Sequence, residues 1–218
     1  MSENEILPSP TAGPSAAGSE EKSAASSWFG RIFDFVGEIF HIVIISLAII
    51  VPIRYFLIQP FYVKGASMEP NFYDHEYLII DEISYRFSVP RRGDVVVFRY
   101  PNDPRQFFIK RIVGLPGEWV RVGDSQVFIS PDGQDWRKLD ESGYLGERPT
   151  AGQREVRLNA GEYFLLGDNR GSSLDSRVFG AVPANLIVGR VWLRGWPPEK
   201  LAVFGSPGGT LPVGNNQF

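Results

Sequence analysis

A serine set in a turn of small residues, Gly65-Ala66-Ser67-Met68-Glu69-Pro70, is the first candidate for chemistry in this 218-residue chain. A hydroxyl becomes a useful nucleophile only when a nearby base takes its proton. The chain has two histidines, His41 inside an apolar run and His75, eight residues beyond Ser67. Flanked by Tyr73, Asp74 and Glu76, His75 reads as a solvated loop residue, with a catalytic role as the alternative. The other base is Lys110. In Phe107-Phe108-Ile109-Lys110-Arg111-Ile112-Val113, strand alternation places Phe108, Lys110 and Ile112 on one face and Ile109, Arg111 and Val113 on the other. An amine between apolar neighbours is poorly solvated, which lowers its pKa and lets the neutral form act as a base near physiological pH. A lysine on such a strand also has the ordinary option of extending its amine into water, so the pattern alone leaves both readings open. No cysteine is present, which excludes disulfides and thiolate metal sites, and nothing in the pattern asks for a metal or cofactor.

These residues need a scaffold, and the composition bounds it. With 43% hydrophobic and 13% aromatic residues the chain can bury one core of ordinary size. A net charge of -3, from 22 basic and 25 acidic residues, gives no clustered basic face for a nucleic acid. Residues 1–27 are rich in Ser, Ala, Gly, Pro and Glu and are expected to be a disordered tail. From Trp28 to Phe40, apolar residues recur at helical spacing around Arg31, Asp34 and Glu38. That pattern predicts an interfacial amphipathic helix, with packing on the soluble domain as the alternative.

Ile39 to Ile53 is 15 residues without a formal charge, short of the roughly 20 that a bilayer core requires. Extended through Arg54 to Pro60, it reaches 22 residues, or about 33 Å of helix at 1.5 Å per residue. Arg54 is tolerated near an interface and Pro52 kinks rather than ends the pattern, so residues 28–60 are expected to be a helical anchor with one transmembrane span. The 38 residues ahead of the run make a cleaved leader the weaker reading. Lys22 and Arg31 before the run are balanced by acidic neighbours and by Arg54 and Lys64 after it, so charge does not fix an orientation.

Beyond the anchor, short β-like runs alternate with turn residues: Tyr77–Ile80, Asp94–Tyr100, Phe107–Val113, Trp119–Val122, Gln126–Ser130, Arg154–Leu158, Tyr163–Leu166 and Leu186–Leu193. A mainly β domain over residues 61–204 follows. Pro131-Asp132-Gly133 is a hairpin-turn signal. Residues 138–153 read as a surface excursion, part of a hairpin and loop region over about 120–160, and the Gly/Pro/Asn-rich stretch 205–218 as a loose tail.

Four motifs in order tie the serine to the lysine: Gly65-Ala66-Ser67-Met68-Glu69-Pro70, Arg92-Gly93-Asp94-Val95-Val96-Val97-Phe98, Lys110-Arg111-Ile112-Val113-Gly114-Leu115-Pro116-Gly117-Glu118, and Gly167-Asp168-Asn169-Arg170 through Ser173, Asp175, Ser176 and Arg177. Together they closely resemble the boxes of bacterial type I signal peptidase, over roughly residues 40 to 200. The resemblance implies a signal-peptidase/LexA-like fold of antiparallel β sheets behind one N-terminal transmembrane helix. It implies Ser67 as nucleophile and Lys110 as general base, Ser173 as the serine that orients the lysine amine, and Asp175 with Arg177 as a structural pair. It further implies cleavage of exported preproteins after small residues, typically Ala-x-Ala, at the outer face of the cytoplasmic membrane. The N-terminus would then be cytoplasmic, with the bilayer and the protein export channel close by. The substrate would lie as an extended strand between residues 61–65 and 107–110, with Val63 and Phe108 among the contacts.

The Ser67 N–H would face the oxyanion. Many family members carry a serine two residues before the nucleophile; here it is Gly65, and a backbone N–H near Gly65 is the expected second donor. Phe61, Tyr62, Phe72 and Tyr73 are candidates either for the lipid interface or for the core. Two other readings remain open on the residues: a self-cleaving Ser-Lys protease of the repressor kind, and a non-catalytic membrane-tethered β domain that binds a partner.

Overall fold

The computed structural model describes residue 31 and residues 35–51 and 58–204. The expected tails, 1–27 and 205–218, lie outside the described residues, as does most of the expected interfacial segment ahead of Phe35. Residues 35–51 form a helix, α1, within a unit that ends at Val51. Its apolar side chains are exposed on every side, Phe35, Ile42, Leu47 and Ile50 among them. Among the described residues no helix is long and apolar enough to cross a membrane.

The helix expected to run on to Pro60 is not found there, because Ile58–Tyr62 is a strand, β1. It pairs antiparallel with the strand Tyr77–Asp81, in register from Ile58 opposite Asp81 to Tyr62 opposite Tyr77. Pro60 has no N–H for a helix, and it is tolerated here because β1 ends the sheet and needs bonds on one side only.

The second unit begins at Pro52, and its described residues, 58–204, are built on antiparallel β sheets. After β1 come β2 (Tyr77–Asp81), β3 (Val95–Tyr100), β4 (Asp103–Gly114), β5 (Trp119–Gly123) and β6 (Gln126–Ser130). Then follow β7 (Arg137–Lys138), β8 (Arg154–Arg157), β9 (Glu162–Leu166), β10 (Val182–Pro183), β11 (Ile187–Trp196) and β12 (Ala202–Val203). Three one-turn helices interrupt them: α2 (Ser84–Phe87), α3 (Ser142–Leu145) and α4 (Ser176–Phe179). The larger sheet runs β1-β2-β11-β3-β4-β9-β10, with β12 on β11; the smaller runs β7-β6-β5-β8.

Alternation explains how β3 serves two cores. Val97 joins Val63, Met68, Phe72, Leu78, Ile80 and Val191, whereas Val96 and Phe98 join Ile112, Tyr163, Leu165 and Val182 on the opposite face. A strand buried on both faces reads as a continuous apolar run, as Val95-Val96-Val97-Phe98 does. A third cluster joins the two sheets, with Val120, Val122, Val127 and Ile129 of the smaller packed on Val113, Phe164 and Leu166 of the larger. Most of residues 138–153 are exposed, and Leu139, Leu145 and Thr150 are buried and fasten the segment to the rest of the unit. Each such apolar side chain removed from water stabilises the attachment by about 2 kcal/mol.

Candidate active site

Ser67 sits in the turn between β1 and β2, and the residues after it hold the turn down. Met68 and Phe72 are each 1% exposed, sunk into the core cluster under β1 and β2. The N–H groups of Asn71 and Phe72 both donate to the Met68 carbonyl, at 3.0 and 2.9 Å. On the other side of the serine, Gly65 has φ 86°, a backbone conformation open to glycine at little cost. Its N–H donates to Asp74 Oδ1 at 2.9 Å. The Gly65 amide is therefore occupied and does not supply the expected second oxyanion donor. By contrast, the Ser67 N–H meets no protein acceptor among the described residues.

Lys110 comes from the middle of β4, where it lies opposite Val96 of β3. Its side chain is almost fully buried, and Nζ lies 2.7 Å from Ser67 Oγ. The amine also donates to the Ile109 carbonyl at 2.8 Å and stands 5.5 Å from the centre of the Phe108 ring. Burial pulls its pKa down to about 8, against a smaller upward pull from the Asp175 and Asp168 carboxylates. At that value a usable fraction is neutral at physiological pH, as a general base requires.

The segment from Gly167 to Arg177 closes over these two residues. A methyl group on Gly167 would overlap both Ser173 Oγ and the Ser67 carbonyl oxygen, so only glycine lets the loop come this near. Asn169 then bonds the nucleophile's turn twice, its backbone N–H donating to the Ser67 carbonyl and its Nδ2 to the Ala66 carbonyl, each at 3.0 Å. Asp168, fully buried, accepts from Arg111 Nε at 2.9 Å, from Arg111 Nη2 at 2.6 Å and from Asn71 Nδ2 at 2.8 Å. One carboxylate thus ties the loop to the residue beside the base and to the residue four beyond the nucleophile.

Asp175 and Arg177 form the expected pair, with Arg177 Nε and Nη2 each 2.8 Å from a carboxylate oxygen. Burial would raise the Asp175 carboxyl, but the Arg177 guanidinium and the Gly167 N–H, donated at 3.1 Å, outweigh it and hold the carboxyl below the usual range. The Ser173 hydroxyl adds to that depression through its nearness to Asp175. It nonetheless meets no partner at hydrogen-bonding geometry, and its oxygen is buried. Farther along, Arg177 Nη1 donates to the carbonyls of Ala151 and Arg170, while Arg170 pairs with Glu141 and Thr150. Residues 141–151 therefore brace the loop from behind.

A cleft of about 280 Å³ opens in front of the serine and lysine, its walls formed by Phe61, Val63, Leu78, Val97, Phe108 and Leu174 among others. The two segments expected to hold a substrate, 61–65 and 107–110, thus face one space. Val63 is 4% exposed and Phe108 is half-buried. Of the four aromatics, Phe72 is core, Phe61 lines the cleft, and Tyr62 and Tyr73 are exposed. His75 is an exposed loop residue 3.0 Å from Asp74 and edge-on to Tyr62, with no bond to Ser67. Asn71, Asp74, Asp168, Asn169 and Glu141 carry no assigned role in the sequence reading. For Asp168 and Asn169 the signal was their place inside the fourth motif; Asn71, Asp74 and Glu141 gave none.

A serine against a buried amine on the floor of an apolar cleft is an arrangement suited to a serine endopeptidase, the class that the family comparisons show. The family described as "Signal peptidase, peptidase S26" matches residues 36–196. Probable signal peptidase I-2 of Synechocystis sp. is 36% identical over 164 residues, 72% of each chain. Signal peptidase I of Leptolyngbya laminosa is 36% identical over 171 residues, covering 75% of this chain and 81% of that one. The crystal structure of a signal peptidase I from Enterococcus faecalis, 30% identical, covers 48% of this chain and 97% of its own, with a TM-score of 0.41. This chain belongs to the signal peptidase family, and its activity is the removal of signal peptides from exported preproteins.

Proposed function

We propose that Ser67 is the nucleophile of this peptidase and Lys110 its general base. The observation that carries this reading is the 2.7 Å separation of Ser67 Oγ from the buried Nζ. Neutral Lys110 takes the hydroxyl proton as Oγ attacks the scissile carbonyl, then returns it to the departing amine as the peptide bond breaks. A water, losing its proton to Lys110, attacks the ester; Lys110 then passes that proton to Ser67 Oγ as the acyl C–O bond breaks, which frees the signal peptide's C-terminal carboxyl and restores the enzyme. The Ser67 N–H, free of protein acceptors, faces the oxyanion. Ser173 orients the amine. Its buried hydroxyl has no partner, which is costly unless one arrives, and the ammonium formed during attack supplies a donor.

The preprotein lies in the cleft as an added strand. The Val63 N–H donates to the Glu76 carbonyl and its carbonyl accepts from His75, so Val63 spends its backbone on the β2 side. Neighbouring residues of an extended strand direct their backbone groups the other way, so Tyr62 and Lys64 offer theirs to the substrate. Close apolar walls around Val63 and Phe108 favour small side chains, which fits Ala-x-Ala.

The all-round apolar α1 supports an anchor in the cytoplasmic membrane, with its N-terminus cytoplasmic, the catalytic unit outside, and the enzyme working near the export channel. In the full-length enzyme in detergent, Ser67→Ala and Lys110→Ala each abolish preprotein cleavage, while His75→Ala retains it. Full activity in Lys110→Ala sinks the assignment. In sealed inside-out vesicles the catalytic unit is protected from added protease; digestion there reverses the orientation.

A further inference from the structure

The peptide unit that joins Ala66 to Ser67 carries the Ala66 carbonyl at one end and the Ser67 N–H at the other. A trans peptide is planar, so these two groups point in opposite directions and cannot turn independently. Whatever grips the carbonyl also aims the N–H. The grip is specific here: Asn169 Nδ2 donates to the Ala66 oxygen at 3.0 Å, and the Glu69 N–H donates to the same oxygen at 3.2 Å. The Asn169 backbone N–H holds the next carbonyl, that of Ser67, at 3.0 Å. Both carbonyls flanking the nucleophile are thus tied to one residue, and the N–H between them meets no protein acceptor among the described residues.

We propose that Asn169 is a positioning residue for the oxyanion hole, aiming the Ser67 N–H through the carbonyl of the same peptide unit. The proposal rests on the reading of Ser67 as nucleophile. Asn169 does not bond the base: the amine of Lys110 bonds Ser67 Oγ and the Ile109 carbonyl. Because Gly65 has given its N–H to Asp74, the hole depends more heavily on this one aimed donor. A donor a few tenths of an ångström off line binds the developing oxyanion less well while leaving ground-state substrate binding intact.

Asn169→Asp tests this in the full-length enzyme in detergent. It keeps the backbone bond and the side-chain volume but replaces the donor to Ala66 with an acceptor; Asn169→Ala, which adds no charge, carries the same comparison if the aspartate disturbs folding. The probes are a peptide aldehyde ending in Ala-x-Ala, whose hemiacetal with Ser67 Oγ places an oxygen in the hole, and the matching peptide alcohol, which has no such oxygen. Removing an oxyanion donor outright costs a hundred- to a thousandfold in kcat; misaiming one should cost about ten- to a hundredfold. We expect that loss in kcat with KM unchanged, an equal weakening of the aldehyde, no change for the alcohol, and an unmoved midpoint of the pH–rate profile. Wild-type kcat overturns the proposal, as does a loss of kcat shared by the alcohol or accompanied by a moved midpoint. Ser67→Ala run in parallel separates the two readings. If it is inactive while Asn169→Asp is fully active, only the positioning role falls; if it still cleaves, the nucleophile assignment falls first.

Discussion

Asp175 and Arg177, in the loop that meets Ser67, share their spacing and residue types with Asp135 and Arg137 at the start of β7. Both arginines bond their aspartates, with Nη2 contacts of 2.8 Å in each pair. Their surroundings differ completely. The loop aspartate is 0% and its arginine 12% exposed, against 58% and 51% for the other pair. Asp175 also accepts from Gly167 and caps α4 through the Arg177 N–H, whereas Asp135 serves its arginine alone among side-chain acceptors' partners. The contrast extends to whole regions. Every buried charged side chain among the described residues lies between Glu76 and Lys110 or between Asp168 and Asp175; the sheet β5 to β8 has none. Burying a charge costs free energy that a surface pair never incurs, and three of these groups, Asp168, Arg170 and Asp175, lie in the loop that meets Ser67.

The contrast breaks first, if it breaks at all, at Asp175. Asp175→Ala leaves a buried guanidinium without its carboxylate and the Gly167 N–H without an acceptor, which should cost about 3–5 kcal/mol. Cleavage should fall with it, because Gly167 carries the loop against Ser67. Thermal unfolding in detergent measures the first effect and a preprotein assay the second; a cost below about 1 kcal/mol would put Asp175 in the class of surface pairs. The same carboxyl, held below its ordinary 3.8, contributes stability that is complete above that pH and is lost as the pH falls through the lower folded value.

Lys110 sharpens the comparison in the opposite sense, since its burial works against the fold. The gap between its ordinary 10.5 and about 8 corresponds to about 3 kcal/mol of destabilisation while the unfolded chain keeps the proton. Below about 8 both states bind that proton and the penalty is complete; as pH rises from about 8 to 10.5 only the unfolded state keeps it, and the penalty fades. Lys110→Met should therefore stabilise the inactive enzyme at pH 7 by up to about 3 kcal/mol, with no difference at high pH. In the wild type, cleavage should rise with pH through about 8 as the amine becomes neutral. An unchanged unfolding temperature in the methionine variant would mean that the amine is solvated.

Ser67, Lys110, Asp175 and Arg177 were legible because each falls inside a motif whose order along the chain is itself informative. The strands of the two sheets were legible from alternation and turn residues, Trp119–Gly123 and Gln126–Ser130 nearly to the residue. What failed was the apolar stretch before Phe61. A short apolar run has no period that separates helix from strand, and Ile58–Tyr62 becomes β1 only because β2 is there to pair with it. The two-residue strands β7, β10 and β12 have no local signal for the same reason. Asn71 was invisible because its partner Asp168 is 97 residues away, and a polar residue in a turn ordinarily bonds water. Gly65 misled in a subtler way: its freedom to take φ 86° is real, but it serves the bond to Asp74 rather than the oxyanion.

The smallest effect gives the most demanding check, because spacing alone would predict a large one. Asp135→Ala removes a pair of contacts with the same spacing as that of Asp175, with Arg137 Nε at 3.3 Å and Nη2 at 2.8 Å, both to Oδ2. Water replaces the carboxylate at once, since both side chains are more than half exposed, and salt already screens the pair. The expected change is within about 0.5 kcal/mol, with cleavage unaltered. Thermal unfolding at low and high ionic strength should place the variant on the wild-type curve. A loss approaching that of Asp175→Ala would show that β7 carries a share of the structural burden, through the braces at residues 141–151, that exposure alone does not reveal.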